Sequence, residues 1–252
     1  MLKHKLYRIL FIFVLFILFL SGAFITMEYR ARSLAKDVGD SRSYYFIIGE
    51  KETIYKMDAV TNQIVNKIKV EGKPQDIKVS PDGSTLLVTV LNTKDEDDTG
   101  YILFYNAKNN KLIKKVQVGK HPSRIAVTSD KKYVMITNTE SNNISVIDAE
   151  NYTILQSISV GREPEGLCVS KNGNYSYVAN TGEDTISVVD MNTFKSIKKI
   201  RVGRYPVDIL MNKDSGNVMV TLSKEKAVAL VNPHTEDIEK VDLHNKPGAI
   251  CN

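Results

Sequence analysis

The hydrophobic pattern divides the chain into one long apolar run followed by many short ones. Residues 9–27 are almost wholly apolar, whereas from Tyr44 onward short apolar runs are separated by polar turns such as SPDG and SKNG. Short runs rich in Val, Ile and Tyr, bounded by turn residues, predict β-strands. The sequence therefore predicts an all-β domain over residues 44–252, behind an apolar N-terminal segment.

The short runs recur with a nearly constant period. The repeats can be counted on the prolines that open them, and the intervals are 48, 42, 42 and 41 residues; the prolines are Pro74, Pro122, Pro164, Pro206 and Pro247. An insertion, LNTKDEDDTG, accounts for the long first interval. A period near 42 with four strands in each repeat is typical of β-propeller blades.

The strand count suggests how the ring closes. Three strands precede Pro74 and one apolar run, PGAIC, follows the last repeat. We expect Gly248–Cys251 to supply the innermost strand of the blade that starts at Tyr44, because a ring with unjoined ends would leave sheet edges open. This predicts a five-bladed propeller of four-stranded antiparallel blades, closed by the C-terminal strand. The alternative is a fragment, or a partial ring completed by another chain.

The N-terminal run predicts a membrane segment. Lys3, Lys5 and Arg8 precede it, and its 19 residues are long enough to cross a bilayer as a helix, with the N-terminus in the cytoplasm. We expect a signal-anchor or transmembrane helix over residues 1–27, a charged linker over 28–43 and the propeller over 44–252 on the extracytoplasmic side. The alternative is a signal peptide cleaved after Ala23, which would give a secreted protein.

Charge and motifs exclude several classes of function. The net charge is +5, but without the three N-terminal basic residues 31 basic residues face 29 acidic ones. Bulk charge therefore gives no support to nucleic-acid binding. The chain also has no G-x-G-x-x-G, phosphate-binding loop, H-E-x-x-H, G-x-S-x-G or C-x-x-C motif.

Two of the repeats resemble a known family. The segments ITNTESNNISVIDAE and VANTGEDTISVVD, with VGREPEGLCVS between them, resemble the YVTN-type β-propeller repeats of YncE-like and surface-layer-like proteins. The resemblance covers residues 44–252 and is strongest from Pro122 to Pro206. It implies a propeller, often extracytoplasmic and often with seven blades. The functions it implies are diverse: surface-layer components, binding modules and redox domains that carry cofactors.

Basic residues recur in the loops that join one blade to the next. We expect them to form a ring of cations near one mouth of the central channel, where they would attract an anionic group. The candidate ligand-binding residues are Lys73, Lys120, Arg124, Arg162, Arg204 and Lys246. The alternative is that these side chains are only solvated, or are neutralised by Asp76, Glu163, Glu165 and Asp208.

The same mouth offers an enzymatic alternative. Asp76, Glu165 and Asp208 follow their prolines by one or two residues, and converging carboxylates could perform hydrolase or lactonase-like chemistry. Salt bridges to the nearby basic residues would explain the same carboxylates without catalysis. Pairing with Lys or Arg therefore distinguishes a binding site from a catalytic one.

We expect neither a cofactor nor a structural metal. His121, His234 and His244 have no metal-ligand spacing, and the acidic insertion with Asp95, Asp97 and Asp98 lacks the alternation of a calcium loop, so it is only a weak metal candidate. Cys168 and Cys251 occupy equivalent inner strands of blades that are not neighbours, which predicts two buried thiols and no disulfide.

The sequence therefore predicts a non-catalytic, membrane-anchored extracytoplasmic propeller. It would bind a protein, a surface polymer or an anionic ligand through its loop face. The competing hypotheses are the hydrolase and a purely structural surface protein.

Overall fold

The computed structural model describes residues 32–36, 43–92 and 99–250. These residues form five four-stranded antiparallel sheets. No helix among them is long and apolar enough to cross a membrane, and the predicted membrane segment 9–27 lies outside the described residues. The all-β prediction with four strands in each blade is confirmed.

Each sheet is built from consecutive strands. The strands are β1 (Arg32–Lys36), β2 (Ser43–Ile48), β3 (Thr53–Asp58), β4 (Ile64–Lys69), β5 (Lys73–Val79), β6 (Thr85–Leu91), β7 (Thr99–Asn106), β8 (Leu112–Lys120), β9 (Pro122–Val127), β10 (Tyr133–Asn138), β11 (Asn143–Asp148), β12 (Thr153–Ser159), β13 (Pro164–Val169), β14 (Tyr175–Asn180), β15 (Thr185–Asp190), β16 (Lys195–Arg201), β17 (Pro206–Met211), β18 (Val218–Leu222), β19 (Ala227–Val231) and β20 (Ile238–Asp242).

The five sheets follow one another as the blades of a propeller. The first strand of each sheet is innermost, and β1, β5, β9, β13 and β17 pack side by side in this order. The middle strands of the third and fourth sheets are buried on both faces between neighbouring blades; Ile144, Val178 and Ile186, for example, are fully buried. Apolar burial between blades therefore holds the sheets together.

The outermost strands are mostly exposed, and four of them carry a bulge. Near its start, each of β4, β8, β12 and β16 shifts by one residue in register with the third strand, and β8 shifts again near its end. In each case the extra residue is a large aliphatic side chain about half exposed to solvent: Val65, Ile113, Leu155 and Ile197. Bulges in edge strands interrupt the row of free backbone groups with which another strand could pair.

The predicted closure of the ring is wrong. The innermost strand beside β2 is β1, with Arg32 opposite Ile47 and Lys36 opposite Ser43, so Gly248–Cys251 does not occupy that place. The sheet therefore begins inside the stretch 28–43 that the sequence predicts as a linker. No strand of the fifth sheet packs along a strand of the first within the described parts of the chain.

The C-terminal segment lies instead beside the fifth sheet. The backbone N–H of Ile250 donates to Asp208 Oδ2 at 3.1 Å. The same bond joins the second and third sheets, where Ile125 N–H donates to Asp76 Oδ2 at 2.9 Å. The segment around Ile250 thus occupies the position of an innermost strand that would follow β17.

A buried asparagine organises each of the two most regular blades. Asn180 ends β14, and its side-chain amide donates to Ser187 Oγ at 2.9 Å and Thr185 Oγ1 at 3.0 Å, while its Oδ1 accepts from Gly161 N–H at 3.0 Å. Asn138 makes the equivalent bonds to Ser145, Asn143 and Gly119 in the third sheet. Each asparagine therefore joins two strands to the loop that enters its own blade.

The threonine after each asparagine connects one blade to the next. Thr139 Oγ1 donates to the carbonyl of Pro164 at 2.9 Å, and Thr181 Oγ1 donates to the carbonyl of Pro206 at 2.7 Å. The repeated Asn-Thr pair of the sequence thus has a structural explanation, because each residue of the pair makes a different set of hydrogen bonds. One set lies within a blade and the other between blades.

We predict that Asn180→Ala lowers the free energy of unfolding by about 3 kcal/mol, because it leaves Gly161 N–H and Ser187 Oγ without their buried partner. Urea denaturation measures the change. The matched control is Asn172→Ala in an exposed turn, which should cost less than about 1 kcal/mol. Equal losses in the two variants would contradict the role given to Asn180.

Candidate functional site

One face of the propeller is formed by two sets of loops that contact each other. The loops that join successive blades accept hydrogen bonds from the loops between the second and third strands: Thr139 N–H donates to the carbonyl of His121, and Thr181 N–H to that of Glu163. We call this side the loop face. The joining loops and the loops between second and third strands therefore open on one side of the propeller.

The five predicted loop cations are all exposed at this end of their blades. Lys73 begins β5, Lys120 ends β8, and Arg162, Arg204 and Lys246 lie in the segments that follow β12, β16 and β20. Arg162 Nε lies 3.9 Å from Glu183 Oε1. In the described parts of the chain, no carboxylate lies within 4.0 Å of the charged nitrogens of the other four.

Arg124, the sixth predicted binding residue, has internal partners. Its Nη2 lies 3.1 Å from Asp208 Oδ2, and its Nη1 lies 3.8 Å from Asp76 Oδ1. One side chain of the third sheet therefore connects carboxylates of the second and fifth sheets. The guanidinium is only about a quarter exposed, so it is chiefly a structural cation of the inner strands.

Asp76 is the most strongly perturbed of the three predicted carboxylates. Burial raises its pKa to about 6, although the Arg124 charge and the hydrogen bond from Ile125 N–H act in the opposite direction. Burial also raises the pKa of Glu165, again opposed by Arg124. Desolvation disfavours the charged form of a carboxyl group, and one arginine does not fully offset it here.

The arrangement of these carboxylates bears on the enzymatic alternative. Asp76 and Asp208 are both paired with Arg124, and both accept a backbone N–H from the neighbouring innermost segment. Their lone pairs are therefore engaged in joining blades. The structure places Glu165 closer to solvent, half-buried at the start of β13.

A groove on the loop face, between the fourth and fifth sheets, contains a cation that the sequence analysis did not single out. The groove has a volume of about 500 Å³, and Arg201 lines it together with Arg204, Lys240, Asp184 and Glu225. Arg201 ends a strand rather than lying in a joining loop, so a search of the loops misses it. The equivalent residue of the third sheet is Ser159, opposite Asn143 as Arg201 is opposite Thr185.

Lys56 is a second residue that the sequence analysis did not single out. Its side chain is buried, and Nζ donates to the carbonyls of Ala107 at 2.8 Å and Lys108 at 3.2 Å. Nζ also lies 4.1 Å from the centre of the Tyr44 ring. These contacts join the first and second sheets, so Lys56 is a structural cation.

The remaining candidates give no metal site within the described residues. No group of three His, Cys, Asp or Glu side chains has metal-binding geometry there, and His121 Nδ1 lies 3.3 Å from Glu140 Oε1. Cys168 is a buried free thiol whose pKa is raised by burial. Cys251 and the weak metal candidates Asp95, Asp97 and Asp98 lie outside the described residues.

The five blades and their loop face define a β-propeller, and two family models match parts of the chain. The family model of the YNCE-like β-propellers matches residues 97–214, and that of the choice-of-anchor I domain matches residues 35–145. The resemblance to YncE-like repeats is thereby confirmed. A search of curated proteins found no significant match.

Two solved structures share the fold at low sequence identity. Hydrazine synthase of Kuenenia stuttgartiensis aligns with a TM-score of 0.71 and 18% identity, over 90% of this chain and 71% of that chain. A functionally unknown protein from Desulfotomaculum acetoxidans DSM 771 aligns with a TM-score of 0.69 and 16% identity, over 86% of this chain and 71% of that chain. At these identities the likeness concerns the fold alone.

We predict that Asp76 makes the fold less stable as the pH rises. Its folded-state pKa of about 6 lies above the ordinary value of 3.8, so the ionised form carries a cost that is absent when the group is protonated. Relative to Asp76→Asn, the natural protein should lose up to about 3 kcal/mol of unfolding free energy between about pH 4 and pH 7. Urea denaturation across that range measures the difference.

The control for this measurement is Asp148→Asn. Hydrogen bonds from Asn151 and Glu150 lower the pKa of Asp148, so its contribution to stability is present at neutral pH and is lost as the pH falls. Between about pH 4 and pH 7 the difference for Asp148→Asn should therefore stay nearly constant and change only at lower pH, whereas the difference for Asp76→Asn changes within that range. A flat difference for Asp76→Asn would show that its carboxyl group titrates normally.

Proposed function

We propose that this protein is a non-catalytic binding module that holds a partner protein or surface polymer against its loop face. The propeller fold together with the choice-of-anchor match indicates a surface-associated binding module. The observation that carries the proposal is that four of the five loop cations form no ion pair with a carboxylate in the described part of the chain. Lys73, Lys120, Arg204 and Lys246 have no carboxylate within 4.0 Å in the described part of the chain.

The internal pairing of the acids supports this proposal. The alternative that the loop cations are neutralised names Asp76 and Asp208 among four candidate acids, but both of these carboxylates are engaged by Arg124. The cations therefore keep their donors for a ligand that carries negative charge. A ring of like charge on one face also increases the rate at which such a partner associates.

The same pairing argues against the hydrolase. A general acid and a nucleophile need lone pairs or protons that face a substrate, and Asp76 and Asp208 use theirs on Arg124 and on backbone N–H groups.

The proposed location follows from the N-terminal sequence. We propose that residues 9–27 anchor the protein in the cell membrane and that the propeller lies on the extracytoplasmic side, consistent with the basic residues that precede the apolar run. In that arrangement the loop face would meet cell-surface proteins or polymers.

A comparison of two faces tests the function. The full chain would be immobilised as the natural protein, as a loop-face variant (Lys120→Glu with Arg204→Glu) and as an opposite-face variant (Lys171→Glu with Lys213→Glu). All four lysines and arginines are exposed, and Lys171 and Lys213 occupy equivalent turns between first and second strands. Cell-envelope components retained by each would be quantified by mass spectrometry.

We expect components retained by the natural protein to be lost by the loop-face variant and kept by the opposite-face variant. Both variants change the net charge equally, so a general charge effect would act on both alike. If the loop-face variant retains every component that the natural protein retains, the loop face does not bind them.

A further inference from the structure

We infer that the groove between the fourth and fifth sheets binds a carboxylate side chain of an acidic peptide through Arg201 and Arg204. This inference rests on the proposed function, because it assigns one binding position within the loop face. The groove has a volume of about 500 Å³ and opens to solvent beside the apolar residues Val202 and Ile238. Arginine guanidinium groups bind carboxylates in a bidentate manner.

The two carboxylates that line the groove form no hydrogen bonds with the guanidinium groups of these arginines. Glu225 Oε1 accepts from Arg204 backbone N–H at 2.7 Å, and Glu225 Oε2 lies 2.7 Å from Lys240 Nζ. Both oxygens of Glu225 therefore have hydrogen-bond partners other than the Arg204 guanidinium. The hydrogen bond from Lys240, that from Arg204 N–H and the charges of both side chains hold the pKa of Glu225 below its ordinary value. The glutamate stays ionised and fixes Lys240.

Asp184 is likewise committed to the backbone. Its Oδ1 accepts from Tyr205 N–H at 3.0 Å, and its Oδ2 forms a long, exposed ion pair with Arg201 Nη2 at 4.0 Å, which is too long for a hydrogen bond. The Arg201 side chain is 82% exposed. Two arginines thus line one groove with their hydrogen-bond donors unused by its acids.

The equivalent position one repeat earlier lacks this pair of arginines. There Arg162 corresponds to Arg204 and Glu183 to Glu225, but Arg162 Nε lies 3.9 Å from Glu183 Oε1, and Ser159 replaces Arg201. Lys199 Nζ binds the other oxygen of Glu183 at 3.0 Å. The earlier position therefore has the same scaffold with one arginine instead of two, which makes it a natural control.

The composition of the groove favours a peptide over a dense polyanion. Three basic and two acidic side chains give the groove a net charge of only +1, so closely spaced phosphates would be repelled by Asp184 and Glu225. A single carboxylate with an aliphatic stem meets two arginines and the exposed apolar surface of Ile238. Asp184 Oδ2 is too far from Arg201 for a hydrogen bond and can accept a peptide N–H.

Isothermal titration calorimetry of the full chain tests the inference. The probe is an acetylated and amidated peptide of alternating Glu and Leu residues. We expect it to bind the natural protein and to bind at least tenfold more weakly to the double variant Arg201→Gln, Arg204→Gln, while Arg162→Gln leaves the affinity unchanged. These residues are exposed, and circular dichroism would verify that the fold is kept.

Two further probes separate the sources of negative charge. Inorganic phosphate should bind more weakly than the peptide, and a peptide with Gln in place of Glu should not bind. The inference is overturned if no peptide binding occurs, if Arg162→Gln causes an equal loss, or if phosphate binds more tightly than the peptide. Should the loop-face variant still lose its captured components in that case, only the assignment to this groove fails.

Discussion

The position of every joining loop in the regular blades depends on a buried asparagine amide. Asn138 and Asn180 are fully buried, and each binds a glycine N–H of the loop that enters its own blade. The glycine is required because a Cβ at Gly119 would lie 2.7 Å from Asn138 Cγ. The basic residue follows this glycine directly, so a buried polar contact places an exposed charge. A buried amide that lost one of its hydrogen bonds would destabilise the fold, so the asparagine fixes the position of the joining loop.

Sequence reasoning succeeds for the blades because one pattern serves several physical tasks. Apolar alternation, turn residues and the Asn-Thr pair recur every 42 residues in the third and fourth repeats, and each has a structural cause. It fails at β1, where Leu34 and Ala35 are the only apolar residues of a five-residue strand. The prediction for the C-terminal segment fails for the opposite reason. It carries the repeat pattern, and Ile250 binds Asp208 as the next innermost strand would, but the place beside β2 is already filled by β1.

The site is only partly predictable for a similar reason. The loop cations recur at one position of the repeat, so aligning the repeats of the sequence identifies them. The partners of Arg124 cannot be found in this way, because Asp208 is 84 residues away and belongs to a sheet that is not adjacent to its own. Arg201 has no counterpart in the third sheet, where Ser159 stands. Repetition thus predicts what the blades share, whereas the contacts that distinguish this protein depend on where single repeats depart from the pattern.

The charged side chains of the loop face lie in two layers. The inner strands hold Asp76, Glu165 and Asp208 around Arg124, so carboxylates outnumber the arginine there, and burial keeps the pKa of Asp76 and Glu165 above their ordinary values. The outer layer holds the exposed lysines and arginines of the loops. An anion that approaches meets attractive charge at the surface and acidic groups further in. Such a field favours binding on the face over entry between the inner strands. This is why the groove at Arg201 and Arg204, rather than the channel, is the position to which we assign the ligand.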